Sequence, residues 1–234
     1  MSRARPVVAI DGPAGAGKST VTKRVAKSLG YLIVDTGALY RTIALAVQRA
    51  GLDFDDAERV GTLAESLVAR AAVKLEGDAD GTRVLLDGED VSGSIRTPIL
   101  SQGASKVSAQ PRVREALLEL QRAGGREGGV VLEGRDIGTV VFPDAEAKVY
   151  LTASVEERAR RRFEELKASG VNVEFHGVRS EVLERDQRDS TRPIAPLRKA
   201  PDALELDSST LSIDQVVARI VAHVKDIEAK LSGR

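Results

Sequence analysis

Residues 9 to 20 read AIDGPAGAGKST, and few segments restrict a chain as narrowly. Gly12, Gly15 and Gly17, with Ala14 and Ala16, leave almost no bulk around one lysine and two hydroxyls. A core segment would waste burial here, and an ordinary turn needs fewer glycines. Gly12, Gly17, Lys18 and Ser19 satisfy G-x-x-x-x-G-K-[ST], the pattern of a phosphate-binding loop. The flanks agree with it. PVVAI before the loop is a β-branched run of the kind found in buried parallel strands. After it, Val21, Val25, Ala26 and Leu29 recur at helical spacing up to Gly30, a left-handed stop, which predicts a helix over 19–29. YLIV (31–34) is a second apolar run. Strand, glycine loop, helix and strand make a βαβ opening, which implies a parallel sheet covered by helices.

Such a loop wraps its backbone around a polyphosphate, so that successive N–H groups and the start of the following helix face the anion. Residues Gly12, Pro13, Ala14, Gly15, Ala16, Gly17, Lys18, Ser19 and Thr20 form the expected ATP site. Lys18 is placed to bridge β- and γ-phosphates, and the Ser19 hydroxyl to coordinate Mg²⁺.

The α/β pattern continues along the chain. Helices are predicted over 38–51 and from Ala57 through AERVGTLAESLVARA. Between Val73 and Ile95 the pattern shortens around GDADG (77–81) and DGED (87–90), which is hairpin chemistry, so an antiparallel lobe is expected inside the α/β chain. Val130–Leu132, 147–153 and 202–208 read as a third, fourth and fifth core strand. Ser154 and Glu157 have the spacing of a capping box opening the next helix. RSEVLERDQRDSTR is a further helix, broken at Pro193, and a long amphipathic helix closes the chain.

Composition removes several classes of function. Lys plus Arg and Asp plus Glu balance at 35 each, so no net field points to nucleic acid or an anionic membrane as partner. There is no cysteine and only two histidines, which excludes disulfides, thiolate metal sites and a histidine cage. No run approaches the roughly 20 apolar residues of a membrane span. The apolar run after the basic start stops at Asp11, too soon for a signal peptide. A soluble, cytoplasmic monomer is expected.

Arginine placement is the discriminating feature. Arg41, Arg114 and Arg135 fall near strand-to-helix junctions, and Arg185, Arg188, Asp189 and Arg192 share one face of a late helix at i, i+3, i+4 and i+7. In a chain of zero net charge these suggest a pocket for a second phosphorylated ligand. For the late helix taken alone, a solvated face of Arg to Asp pairs is the commoner outcome. An Asn-Lys-x-Asp guanine motif is absent, which speaks against a regulatory GTPase.

The segments IDGPAGAGKST, DTGALYR, LLDGEDVSGSIRT, PRVREAL, EGRDIGTVVFPDA, ERDQRDSTR and ALELDSSTLS run in order across nearly the whole chain, and together they resemble bacterial cytidylate kinases, members of the nucleoside monophosphate kinase family of P-loop kinases. The resemblance implies a P-loop nucleoside monophosphate kinase fold in a single unit. Its core would cover about 1–60, 105–153 and 193–234, its substrate-binding lobe about 61–104 and its helical lid about 154–192. It implies ATP-dependent phosphorylation of CMP and dCMP with Mg²⁺. Position by position, it implies a cytosine site of Ser105, Arg114 and Asp136. Arg41, Arg135 and Arg192 would hold the acceptor phosphate, Arg185 and Asp189 would lie near the ribose, and Thr36, Gly37, Tyr40 and Arg188 would complete the pocket. A carboxylate facing the cytosine amino group and a guanidinium facing its acceptors match that edge of the base. Lys18 with the lid arginines Arg158 and Arg162 would stabilise charge on the transferred group, and Asp35 is a candidate for ordering metal-bound water. Two departures stand out: Thr36 where many members have serine, and Glu133 where many have aspartate. The rivals are another small-molecule kinase of similar fold and a nucleotide-binding regulator with no transfer activity.

Overall fold

The computed structural model describes residues 3–77 and 82–233. Its centre is β1 (Val7–Asp11), buried at all five positions, followed by α1 (Lys18–Leu29) and β2 (Leu32–Asp35). Then come α2 (Thr36–Arg49), α3 (Ala57–Ala69), β3 (Val73–Gly77), β4 (Thr82–Leu86), β5 (Glu89–Asp90), α4 (Pro98–Val107) and α5 (Pro111–Ala123). The chain returns to the sheet with β6 (Val130–Gly134), makes one π-type turn over Ile137–Val141, and continues through β7 (Ala147–Thr152), α6 (Val155–Ala168), α7 (Phe175–Thr191), β8 (Leu204–Asp207) and α8 (Ile213–Ser232).

The five core strands stand in the order β2-β6-β1-β7-β8, and every pair is parallel. Alternation sorts their side chains to two cores. Val8, Ile10, Ile33, Val131 and Val149 pack under α1 and α8, while Val7, Ala9, Val34, Val130 and Leu132 meet the π-type turn and Phe142. Register then decides what the carboxyl ends of the strands carry. Asp35 pairs with Glu133 and so shares its face, beside α1, whereas Asp11 pairs with Gly134 and points to the opposite face, toward the turn. This edge of an open parallel sheet is where ligands bind in such folds.

The expected antiparallel piece is the three-stranded sheet β3-β4-β5. Residues 78–81, most of the GDADG turn expected between β3 and β4, lie outside the described residues. The sheet is tied to the core by Thr82, whose Oγ1 donates to the Ile33 carbonyl at 3.1 Å and accepts from Asp35 N at 2.9 Å. A further apolar cluster joins it to α2, α3, α4 and α5. Helices α4 and α5 have no counterpart in the sequence reading, although both open on a proline in the first turn, preceded by Thr97 and Gln110 respectively. Helix α2 begins at Thr36, two residues before its expected start, because Asp35 caps it by accepting from Ala38 N at 3.1 Å. Such a cap contributes about 1 kcal/mol.

Candidate active site

Backbone conformation builds the loop between β1 and α1. Gly15 and Gly17 have φ of 76° and 87°, and a Cβ on Gly12 would stand 1.9 Å from the Leu151 carbonyl oxygen, so no larger residue fits there. Lys18 folds over this loop and donates from Nζ to the carbonyls of Gly12 and Pro13, both at 2.7 Å. Burial, followed by the charges of Arg135 and Arg185, pushes its ammonium well below the ordinary lysine range. Ser19 Oγ donates to Glu133 Oε2 at 2.9 Å. Burial and then the neighbouring Asp35 raise Glu133 to about 7. Ser19, Thr20, Asp35, Thr82, Arg96 and Glu133 border a cavity of about 460 Å³ between α1, β2 and the small sheet.

On the acceptor side, Asp35 receives a second contact, from Arg41 Nη2 at 2.5 Å. Gly37 leaves room for it: a Cβ there would lie 3.1 Å from Asp35 Oδ1 and 3.2 Å from Arg41 Nη1. Thr36 Oγ1 donates to the Glu133 carbonyl at 2.8 Å, so the threonine that replaces a common serine is held by its hydroxyl.

The charged stripe is not a fully solvated face: Arg185 and Arg188 on α7 are half-buried, and Asp189 and Arg192, the cap residue just past the helix, are buried. Asp189 is 3% exposed and Arg192 6%. Arg188 Nη1 donates to Ser105 Oγ at 2.9 Å, Arg135 Nε to Asp189 Oδ2 at 2.9 Å, and Arg192 Nη2 to Asp136 Oδ1 at 3.2 Å. Arg114 takes the other oxygen of Asp136 and lies over the Tyr40 ring, 5.5 Å from its centroid. Burial would lift the Asp189 carboxyl, yet Arg135 and Arg185 hold it below the usual range. These contacts form three groups: Ser105 with Arg188, Arg135 with Asp189, and Arg114 and Arg192 on the two oxygens of Asp136. Arg192, expected beside Arg41 and Arg135, instead touches the carboxylate expected to read the base.

Two guanidinium nitrogens in this region, Nε of Arg41 and Nε of Arg185, are buried with no hydrogen-bond partner. Burial and the charge of Arg135 lower Arg185 to about 10. Unsatisfied donors amid like charges are costly without an anion to receive them.

The two arginines expected in a lid, Arg158 and Arg162, are placed differently. Arg158 is buried, pairs with Asp186 at 2.6 Å and donates to the Ala14 carbonyl at 3.2 Å, so its fork joins α7 to the phosphate loop. Arg162 is partly exposed and donates to Glu165 Oε2 at 2.8 Å. Their neighbour Arg161, on the same helix face but given no role in the sequence reading, donates to the Ala16 carbonyl at 3.3 Å and the Ser208 carbonyl at 2.7 Å. The sequence reading passed over Gln121, whose amide donates to the Tyr40 hydroxyl at 3.3 Å. Both sit on helix faces that look ordinary in sequence.

Among the described residues, no cluster of three or more His, Cys, Asp or Glu forms a metal cage, and no helix is long and apolar enough to cross a membrane. A family model described as cytidylate kinase matches residues 8–226. The cytidylate kinase of Pelotomaculum thermopropionicum is 54% identical over 220 residues, covering 94% of this chain and 96% of that protein. Those of Shewanella amazonensis and Vibrio cholerae are 49% and 50% identical, covering 97% and 99% of this chain and 97% and 100% of theirs.

Proposed function

The chain belongs to the cytidylate kinase family, and from that premise we infer that it transfers the γ-phosphoryl group of ATP to CMP or dCMP. A phosphate oxygen of CMP forms the new bond to the γ-phosphorus, the bridging bond to the β-phosphate breaks, and its electron pair leaves with ADP. The observation that carries the acceptor is the buried pairing of Asp136 with Arg114. That arrangement sets an acceptor and a donor side by side for the cytosine edge, whereas uracil turns a carbonyl toward the carboxylate.

Phosphoryl transfer asks mainly for alignment and charge neutralisation. In this reading Gly12 to Thr20 wrap the donor phosphates, and Lys18 exchanges its loop carbonyls for their oxygens. Arg41, Arg135 and Arg185 receive the acceptor phosphate, with Asp189 orienting Arg135 near the ribose. Arg158 holds the loop through Ala14, and Arg162 adds positive charge from α6. Tyr40 packs under the base-reading Arg114. The partition into core, lobe and lid belongs to the same proposal, as do action as a monomer in the cytoplasm and the lack of a nucleic-acid partner.

The oxygen donors fit Mg²⁺: Ser19 Oγ and Glu133 are in contact, Asp35 is paired with Glu133 in the sheet, and all three border the cavity beside the loop. Ser19 would hold the ion directly, with Glu133 and Asp35 holding its waters. Bound there, it would neutralise charge on the β- and γ-phosphates.

The test is coupled measurement of ADP release with CMP, dCMP, UMP, AMP and shikimate as acceptors. CMP and dCMP should dominate. Preference for another acceptor would favour a different small-molecule kinase, and ATP binding with no acceptor-dependent ADP would favour a regulator.

A further inference from the structure

Asp136 stands immediately before the π-type turn, the position from which an aspartate ordinarily folds back to accept from the first free amides. Here it makes no such contact. Its carboxylate goes to Arg114 and Arg192. The first two amides of the turn, those of Ile137 and Gly138, donate instead to Asp11, one to each oxygen and each at 2.8 Å, and the second is one that Asp136 would ordinarily cap. Asp11 lies 126 positions before Ile137, at the end of β1, and is 5% exposed.

The fit around this contact is close. Asp11 pairs in register with Gly134, the residue before Arg135. A Cβ on Gly134 would stand 2.7 Å from Ile137 Cδ1, and one on Gly138 would stand 3.1 Å from Lys148 Cδ and 3.4 Å from Asp11 Oδ2. Two glycines thus let the turn settle onto the strand end and onto the carboxylate. Asp11 is not the partner of the loop lysine, because Lys18 Nζ donates to Gly12 and Pro13. Its two oxygens are committed to the turn.

We propose that Asp11 is a positioning residue of the acceptor site: by capping the turn in place of Asp136, it releases the Asp136 carboxylate to read the nucleobase. The proposal rests on the reading of Asp136 given above. Without Asp11, the start of the turn is left with orphan amides next to Asp136, the residue immediately before it. A carboxylate drawn back to its own turn no longer faces the ligand.

The first test is Asp11→Asn, whose amide offers one acceptor oxygen and turns an NH₂ toward the second amide. The ratio of kcat/KM for CMP to that for UMP should fall by about tenfold, the scale of one lost base-edge contact. The fall should come through a raised KM for CMP, with ATP affinity changed less than about twofold; a purely structural role would instead lower both nucleotides' terms together. Asp136→Asn serves as comparator. A ratio unchanged in Asp11→Asn but lowered in Asp136→Asn would overturn the proposal and leave the base reading standing, while a ratio unchanged in both would overturn both. The second test does not depend on an Asp11 variant folding. Amide hydrogen exchange at Ile137 and Gly138 should be slow in the wild-type enzyme and equally slow in Asp136→Ala. Loss of that protection in Asp136→Ala would mean that Asp136 caps its own turn, which contradicts the proposal.

Discussion

Arg192 Nη2 donates to Asp136 Oδ1 at 3.2 Å, joining residues 56 positions apart, and the same guanidinium donates from Nε to the Ala195 carbonyl at 2.7 Å. Arg192, which sequence spacing places on the helix face and the structure places as the cap just past Thr191, is thereby fixed to the turn after β6. Both partners are buried, so removing either leaves the other charge uncompensated; burial, then the nearby Arg114 charge, lowers Arg192 from the ordinary arginine range.

Replacing Arg192 with alanine should therefore cost about 2 kcal/mol or more in kcat/KM for CMP, the scale of a buried charge-assisted contact broken on one side. Lysine should restore only part of it, because a point charge cannot donate in two directions from a planar fork. Steady-state kinetics with CMP varied at saturating ATP measure this, with ATP affinity as the control. A wild-type profile for Arg192→Ala would return α7 to the role of an ordinary surface helix.

Lys18→Ala should reduce kcat by roughly a thousandfold or more, since the lysine supplies charge that transfer of a phosphoryl group requires, while the fold persists. Its native contacts are two carbonyls of its own loop, and removing a buried ammonium also removes its desolvation cost. Single-turnover kinetics and thermal unfolding separate the two effects. Near-normal turnover in a folded variant would sink the assignment of the loop.

Glu133 gives a pH signature. Its carboxyl rises from about 4.5 in the unfolded chain to about 7 when folded, through burial and then the Asp35 charge. Between those values the native chain binds more protons than the unfolded one, so this group's contribution to stability is fully present below about 4.5 and is lost as pH rises through about 7. Glu133→Gln lacks that titration. In nucleotide-free enzyme, the stability of the variant relative to wild type should grow by on the order of 3 kcal/mol from pH 4.5 to 8. Denaturant midpoints across that range test it, and parallel curves would contradict the assignment.

Much of this architecture is legible in the chain itself. Apolar runs mark all five core strands, and the glycine loop names its own ligand class because so few sequences adopt that backbone. Local chemistry does not reveal α4 and α5, where the proline starts were visible but small residues such as Gly103, Ala104 and Ser105 blur the apolar stripe. Nor can it choose between a solvated and a buried charged face for α7, since spacing reports which residues share a face and not what the face meets. Asp11 is the extreme case. In sequence it is the last residue before the loop, and its two partners lie 126 and 127 positions away.

The most direct test of the account is the ratio of kcat/KM for CMP to kcat/KM for UMP in the wild-type enzyme and in Asp136→Asn. If Asp136 accepts from the cytosine amino group, the amide should lower that ratio by about 1 to 3 kcal/mol, roughly 5- to 150-fold, with UMP affected less because the new NH₂ can donate to its O4. A ratio unchanged between the two proteins would mean that the base is read elsewhere.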